Sequence, residues 1–203
     1  MTTAALHPPL LDSHAIPLAE LLSMWLDGDV YRVGERFSPL DLPETAEIRA
    51  AAFAADALHE VVADRASASW IHGARPTSPR RWQVCVLPGR RGGRLPPWYD
   101  SRQRNLAADD VTQVAGIAVT TPLRTAFDLL VDADRFGRSE SWEVRWLLHL
   151  DDATPFTLRR LLGRSRVPGI ERARARLDQV ELARLPGGSD LSERQPPLTR
   201  YTS

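Results

Sequence analysis

Between Trp82 and Thr120 apolar residues recur every second position, and on either side of that block they recur every third or fourth. RWQVCVLP and WYDSRQRNL read as two strands joined by the turn-rich RRGGRLPP, and DDVTQVAGIAVTT reads as a strand pair turning at Ala115-Gly116. Upstream, PETAEIRAAAFAADALHEVV places Ile48, Ala52, Ala55, Leu58 and Val62 at helical steps, and ASASWIHGA is a short helix stopped by Gly73. Downstream come four helical stretches, PLRTAFDLLVDA, SESWEVRWLLHL, PFTLRRLLGRS and PGIERARARLDQV. One strand cluster between two sets of helices lacks the regular alternation of a doubly wound sheet, and the fold class expected is α+β.

A smaller unit precedes this. IPLAELLSMWL sets Leu18, Leu21, Leu22, Trp25 and Leu26 on one stripe, and DVYRVGERFSP reads as two short strands around Gly34-Glu35. A helix followed by a small hairpin is the closing part of a winged helix, and the fifteen Pro- and His-containing residues before Ile16 do not supply the two helices that normally come first. The expected organisation is therefore a reduced winged-helix-like segment over residues 1–40, a mixed helix and small-sheet domain over 41–182, and a disordered tail rich in Pro, Gly and Ser over 183–203.

Charge narrows the chemistry. All 26 basic residues are arginine. Without lysine, a P-loop has nothing to place on the phosphates and a pyridoxal enzyme has no Schiff base. The net charge of zero divides into −7 over residues 1–63, +7 over 64–104, −5 over 105–153 and +5 over 154–203, which implies either mutual neutralisation or a strongly positive face. Cys85, the lone cysteine, reads as a buried strand residue. The sequence has no apolar run long enough for a membrane span and no signal-peptide pattern at its start, so a cytoplasmic location is expected.

At VTTPLRTAFDLL, Thr121 and Pro122 form a helix N-cap and first turn, Leu123, Phe127 and Leu130 share an inward face, and Arg124 and Asp128 can meet at i and i+4 as a surface pair worth a few tenths of a kcal/mol. This string, with ASWIHGA some fifty residues before it and GDVYRVGERFSP earlier still, resembles the AbiEi antitoxins of type IV toxin–antitoxin systems, in a short actinobacterial form. The resemblance spans roughly residues 16 to 180. Trp70, His72, Gly73, Thr121, Pro122, Arg124, Thr125 and Asp128 carry it as structural motif residues. It implies an antitoxin and transcriptional repressor that binds double-stranded DNA at its own operator. It further implies a neighbouring toxin of nucleotidyltransferase type, opposed without a stable complex. A homodimer would match the symmetry of an inverted repeat.

For DNA the residues expected to meet phosphate are Arg75, Arg80, Arg81, Arg90, Arg91, Arg94, Arg102 and Arg104, with Trp82, Trp98 and Tyr99 interleaved for stacking. Neutralisation by the preceding acidic segment is the alternative for these arginines. Arg172, Arg174 and Arg176 in IERARARL read as a second, solvent-exposed cluster, and Trp142 and Trp146, at i and i+4, as core or else as an interface. The sequence contains no G-x-S-x-G elbow, H-E-x-x-H helix or paired Cys-x-x-Cys unit. No catalytic residue, metal ligand or cofactor is assigned. His59, His72 and His149 each have a structural role available, so a metal-dependent enzyme is a poor reading, and a protein-interaction domain that has lost DNA binding is the main rival.

Overall fold

A computed structural model describes residues 10–56, 61–86 and 95–182. The expectations for Leu58, His59, the Arg90-Arg91-Arg94 loop and the tail from 183 fall outside these residues. The fold is α+β, with a small helix-and-hairpin unit preceding a mixed domain.

The first unit is helix α1 (Leu18–Asp27) and strands β1 (Val30–Val33) and β2 (Arg36–Pro39), antiparallel in the register Val30↔Pro39 to Val33↔Arg36. Gly28 ends α1 at φ 82°, and Gly34 takes φ 63° in the hairpin turn; both are left-handed conformations that glycine adopts without a Cβ clash. Leu11 adds an antiparallel bridge to Phe37 that the sequence did not signal. Leu21, Val30 and Phe37 form a local core. The apolar stripe of α1 is otherwise outward: Leu18, Leu22, Trp25 and Leu26 are exposed. A two-stranded hairpin covers one line of side chains on the helix and is too narrow to cover the stripe.

In the second unit, helix α2 (Ala46–Asp56) leads to strand β3 (Val62–Ala63), helix α3 (Arg65–Ile71), and strands β4 (Trp82–Val86), β5 (Tyr99–Gln103), β6 (Val111–Val114) and β7 (Ile117–Thr120). Helices α4 (Pro122–Asp132), α5 (Arg138–Leu150), α6 (Pro155–Arg164) and α7 (Ile170–Leu182) follow. The sheet order is β5-β4-β3-β7-β6. Val62, read as the end of the alanine-rich helix, sits in the central strand, where its β-branched side chain is buried between β4 and β7. Strands β4 and β5 pair in parallel from Trp82↔Tyr99 to Val86↔Gln103, and β6 and β7 form the expected hairpin. Its turn residues Ala115 (φ 49°) and Gly116 (φ 80°) both have positive φ, as a two-residue turn of primed type requires.

Two cores lie back to back. Ile48, Phe53, Trp70, Ile71, Trp82, Val84 and Val119 fill the sheet side. Phe127, Leu130, Leu147, Leu158, Leu162, Leu177 and Val180 fill the bundle of α4 to α7. Two corrections concern this bundle. Arg176 is buried, and its guanidinium donates to the carbonyls of Leu130 (2.8 Å) and Ala133 (2.7 Å), while Arg172 donates to that of Val131 (3.2 Å). These are the carbonyls that the end of α4 leaves without intrahelical partners, so Arg176, expected in solvent, is drawn inward to close a helix end, while Arg172 is exposed as expected and still reaches one of them. Trp146 is exposed, because the buried face of α5 is made by Ser141, Glu143, Val144, Leu147 and Leu148.

Candidate functional site

The two motif stretches meet. Trp70, near the end of α3, packs against Trp82 with ring centroids 5.5 Å apart, and Arg49 lies over its ring. His72 caps α3, and its Nε2 donates to the carbonyl of Thr120 at 2.7 Å, which ties α3 to the start of α4. Burial holds the His72 imidazole below its ordinary pKa. Gly73 takes φ 81°. Thr121 is the N-cap of α4, its Oγ1 accepting from the amide of Arg124, and Pro122 occupies the first turn. The Thr125 hydroxyl pairs with that of Thr120 at 2.7 Å in the interior. Ser69 and Arg75 both donate to Glu143 of α5, which closes the junction from the other side.

Arg124 and Asp128 do pair, at 3.1 Å, but the aspartate is not on the surface: it is 0% exposed. Arg104, arriving just beyond β5, donates to the other Asp128 oxygen at 2.9 Å and also pairs with Asp132. Arg124 reaches on to Asp110 at 2.8 Å, and Arg102 to Asp132. On the sheet side Arg65 pairs with Asp64 at 3.0 Å and with Asp100 at 2.7 Å. Five aspartates and four arginines thus form a continuous charge network through the junction of sheet and bundle. Arg65 takes φ 44° at the start of α3, a strained conformation for a side-chain-bearing residue, and its two carboxylate partners hold it there.

One side of the network is incompletely satisfied. Asp64 is fully buried, and its Oδ2 and the Nε of Arg104 face each other at 3.8 Å without a hydrogen bond. Burial pushes the Asp64 carboxyl up to about 6 against the pull of Arg65 and Arg104. Burial likewise raises Asp128 above the usual carboxylate range, with Arg124 and Arg104 opposing it, and lifts the Cys85 thiol to about 11. A carboxylate whose folded pKa exceeds its unfolded value binds its proton more readily in the native state, so its contribution to stability grows as pH falls through about 6. Relative to Asp64→Asn, the wild-type chain should gain about 1 kcal/mol between pH 7 and pH 5, read from urea midpoints at the two pH values. An unchanged difference would mean that Asp64 stays ionised throughout.

Of the eight arginines expected on DNA, three are ion-paired: Arg75 with Glu143, Arg102 with Asp132, and Arg104 with Asp128, Asp132 and Asp64. Arg80 and Arg81 are exposed and have no side-chain partner among the described residues. Of the interleaved aromatics, Trp82 and Tyr99 are buried, and Trp98 is exposed at the mouth of a cleft of about 480 Å³ that also contains Arg80. A second cleft, of about 440 Å³, lies at the start of α4, lined by the apolar Leu123, Phe127 and Leu161, by Arg124 and Arg164, and by the acids Asp109, Asp110 and Asp151. Asp151 accepts from the amide of Leu123 there, so that helix N-terminus is already occupied.

Among the described residues no helix is long and apolar enough to cross a membrane, and no group of three or more His, Cys, Asp or Glu side chains is arranged to hold a metal ion. The model of the AbiEi antitoxin C-terminal domain matches residues 61–179, which contain both motif stretches and the whole charge network. No curated protein matches the chain. Among solved structures, the crystal structure of the RV2827C protein from Mycobacterium tuberculosis is similar at 16% identity and a TM-score of 0.44, over 81% of this chain and 65% of that one.

Proposed function

We propose that this chain, which belongs to the AbiEi antitoxin family, binds double-stranded DNA upstream of its own gene and represses its toxin–antitoxin operon, acting by binding with no reaction of its own. The partner toxin would be of nucleotidyltransferase type, linked through the operon and opposed without a stable complex. A two-fold dimer would suit an inverted repeat.

The observation that carries this reading is the division of the arginines. Those at the junction are matched by carboxylates or carbonyls, whereas Arg80 and Arg81 are exposed with no side-chain partner among the described residues, Arg80 in a cleft that Trp98, Glu35 and Asp56 also line. An exposed guanidinium group that no ion pair holds attracts phosphate, and the acids of that cleft are engaged elsewhere, Glu35 by Arg32 and Asp56 by Arg36; a nearby indole can stack on a base or sugar. Arg90, Arg91 and Arg94 follow in the same sequence segment.

Fluorescence anisotropy with the native upstream duplex and a scrambled one, over a range of salt, tests the proposal. Tighter binding to the native duplex is expected, with a steep salt dependence from counterion release and a loss of affinity in Arg90→Ala/Arg91→Ala. Negligible binding to both duplexes would sink it. The exposed face of α1, where Leu18 is 55% and Leu26 78% exposed, favours a protein-interaction module as the second reading, and that result would leave it standing.

A further inference from the structure

The helix α6 presents a surface that the sequence reading passed over. Leu158 and Leu162 are buried in the bundle, Leu161 and Arg164 line the cleft at the start of α4, and Phe156, Arg160 and Gly163, at i, i+4 and i+7, lie along the side opposite the buried leucines. Of the acids lining that cleft, Asp110 is held by Arg124 and Asp151 by the amide of Leu123. Phe156 is 71% exposed. The segment from Pro155 to Gly169 contains Arg159, Arg160, Arg164 and Arg166 and no acidic residue. Arg159 holds Asp178 and Glu181 of α7 at 2.8 and 2.9 Å, so the acids that approach from α7 are already engaged. Arg160, Arg164 and Arg166 are exposed and have no partner among the described residues.

We infer that α6 is a DNA-contacting helix, laid in the major groove with Arg160, Arg164 and, just beyond its C-terminal end, Arg166 on phosphates and guanine edges and Phe156 against a thymine methyl. The inference rests on the DNA-binding reading above and gives it a structural element. A helix about 10–12 Å across fits a major groove about 12 Å wide. Gly163 has nothing within 4 Å of where a Cβ would be, so the middle of the exposed face lets the helix backbone come close to the duplex. Arginine forks and an apolar side chain are the groups that read base edges in that groove.

The full chain is compared with Arg160→Ala/Arg164→Ala/Arg166→Ala, Phe156→Ala and the control Arg80→Ala/Arg81→Ala by anisotropy on the native and scrambled duplexes. Near-ultraviolet circular dichroism checks that these surface changes leave the fold intact. Loss of the α6 arginines should weaken binding on the order of 100-fold and flatten the slope of log K against log salt by about 2–3, one contact per arginine. Phe156→Ala should narrow the preference for the native duplex while leaving the slope unchanged. Wild-type binding that survives the triple α6 change with its slope intact, but is lost in Arg80→Ala/Arg81→Ala, overturns α6 and leaves the regulator reading standing. A wild-type chain that binds neither duplex overturns both.

Discussion

Asp128→Ala should lower the stability of the folded chain by about 3 kcal/mol and its melting temperature by roughly 6–12 °C. Asp128 is 0% exposed and accepts from two guanidinium groups that come from different elements, Arg124 on its own helix at 3.1 Å and Arg104 beyond β5 at 2.9 Å. Removing a carboxylate from such a site leaves buried positive charge without its counter-charge, which costs more than the intact pair contributes. The effect falls at the low end of the 3–5 kcal/mol range because both arginines keep other partners, Asp132 for Arg104 and Asp110 for Arg124. Asp128→Asn separates charge from volume: it keeps the shape and one acceptor but turns an amide toward one of the two guanidinium groups, and most of the loss should persist. Thermal unfolding of both variants decides the matter, and a melting temperature within a degree or two of wild type would mean that the pair is solvated and structurally idle.

Local rules made part of this legible. Thr121-Pro122 marks a helix start by side-chain chemistry alone, and Ala115-Gly116 marks a hairpin turn, and both stand where they were expected. The helix-strand-helix order sufficed for the fold class. What local rules could not supply was the environment of a charge. Spacing put Arg124 and Asp128 on one helix face, but whether that face meets water depends on Arg104, 24 residues earlier in the chain from Asp128, and on the sheet edge that delivers it. Arg176 is the same case: an arginine in an exposed-looking helical run is drawn inward by the unpaired carbonyls at the end of α4, more than 40 residues away. The α1 stripe failed in the opposite sense, since periodicity identifies an apolar face but not whether a partner of adequate width exists to cover it. A signal for the network did exist, in the six aspartates and ten arginines interspersed from Asp64 to Asp132, but mixed charge is also what a solvated surface looks like.

Trp70→Ala should cost about 3–5 kcal/mol, the range for truncating a large aromatic in a core that cannot collapse around the space. Trp70 is 1% exposed, and its neighbours come from three directions: Trp82 of β4 at 5.5 Å, the Arg49 guanidinium of α2 at 5.8 Å, and the hairpin turn of the first unit, where a Cβ on Gly34 would lie 3.7 Å from the indole. The Trp70 carbonyl accepts from Arg49 at 2.7 Å through the backbone, so that bond can survive the substitution. What is lost is the apolar block joining hairpin to sheet. The effect should therefore be graded along the chain: in hydrogen exchange, β1 and β2 lose protection first, while α4 to α7, whose core is built from Phe127, Leu130, Leu147 and Leu177, open later. If β1, β2 and the bundle lose protection together in the variant, the two units unfold as one and Trp70 is an ordinary core residue. If β1 and β2 lose it alone, the indole is the joint between the helix-and-hairpin unit and the antitoxin domain.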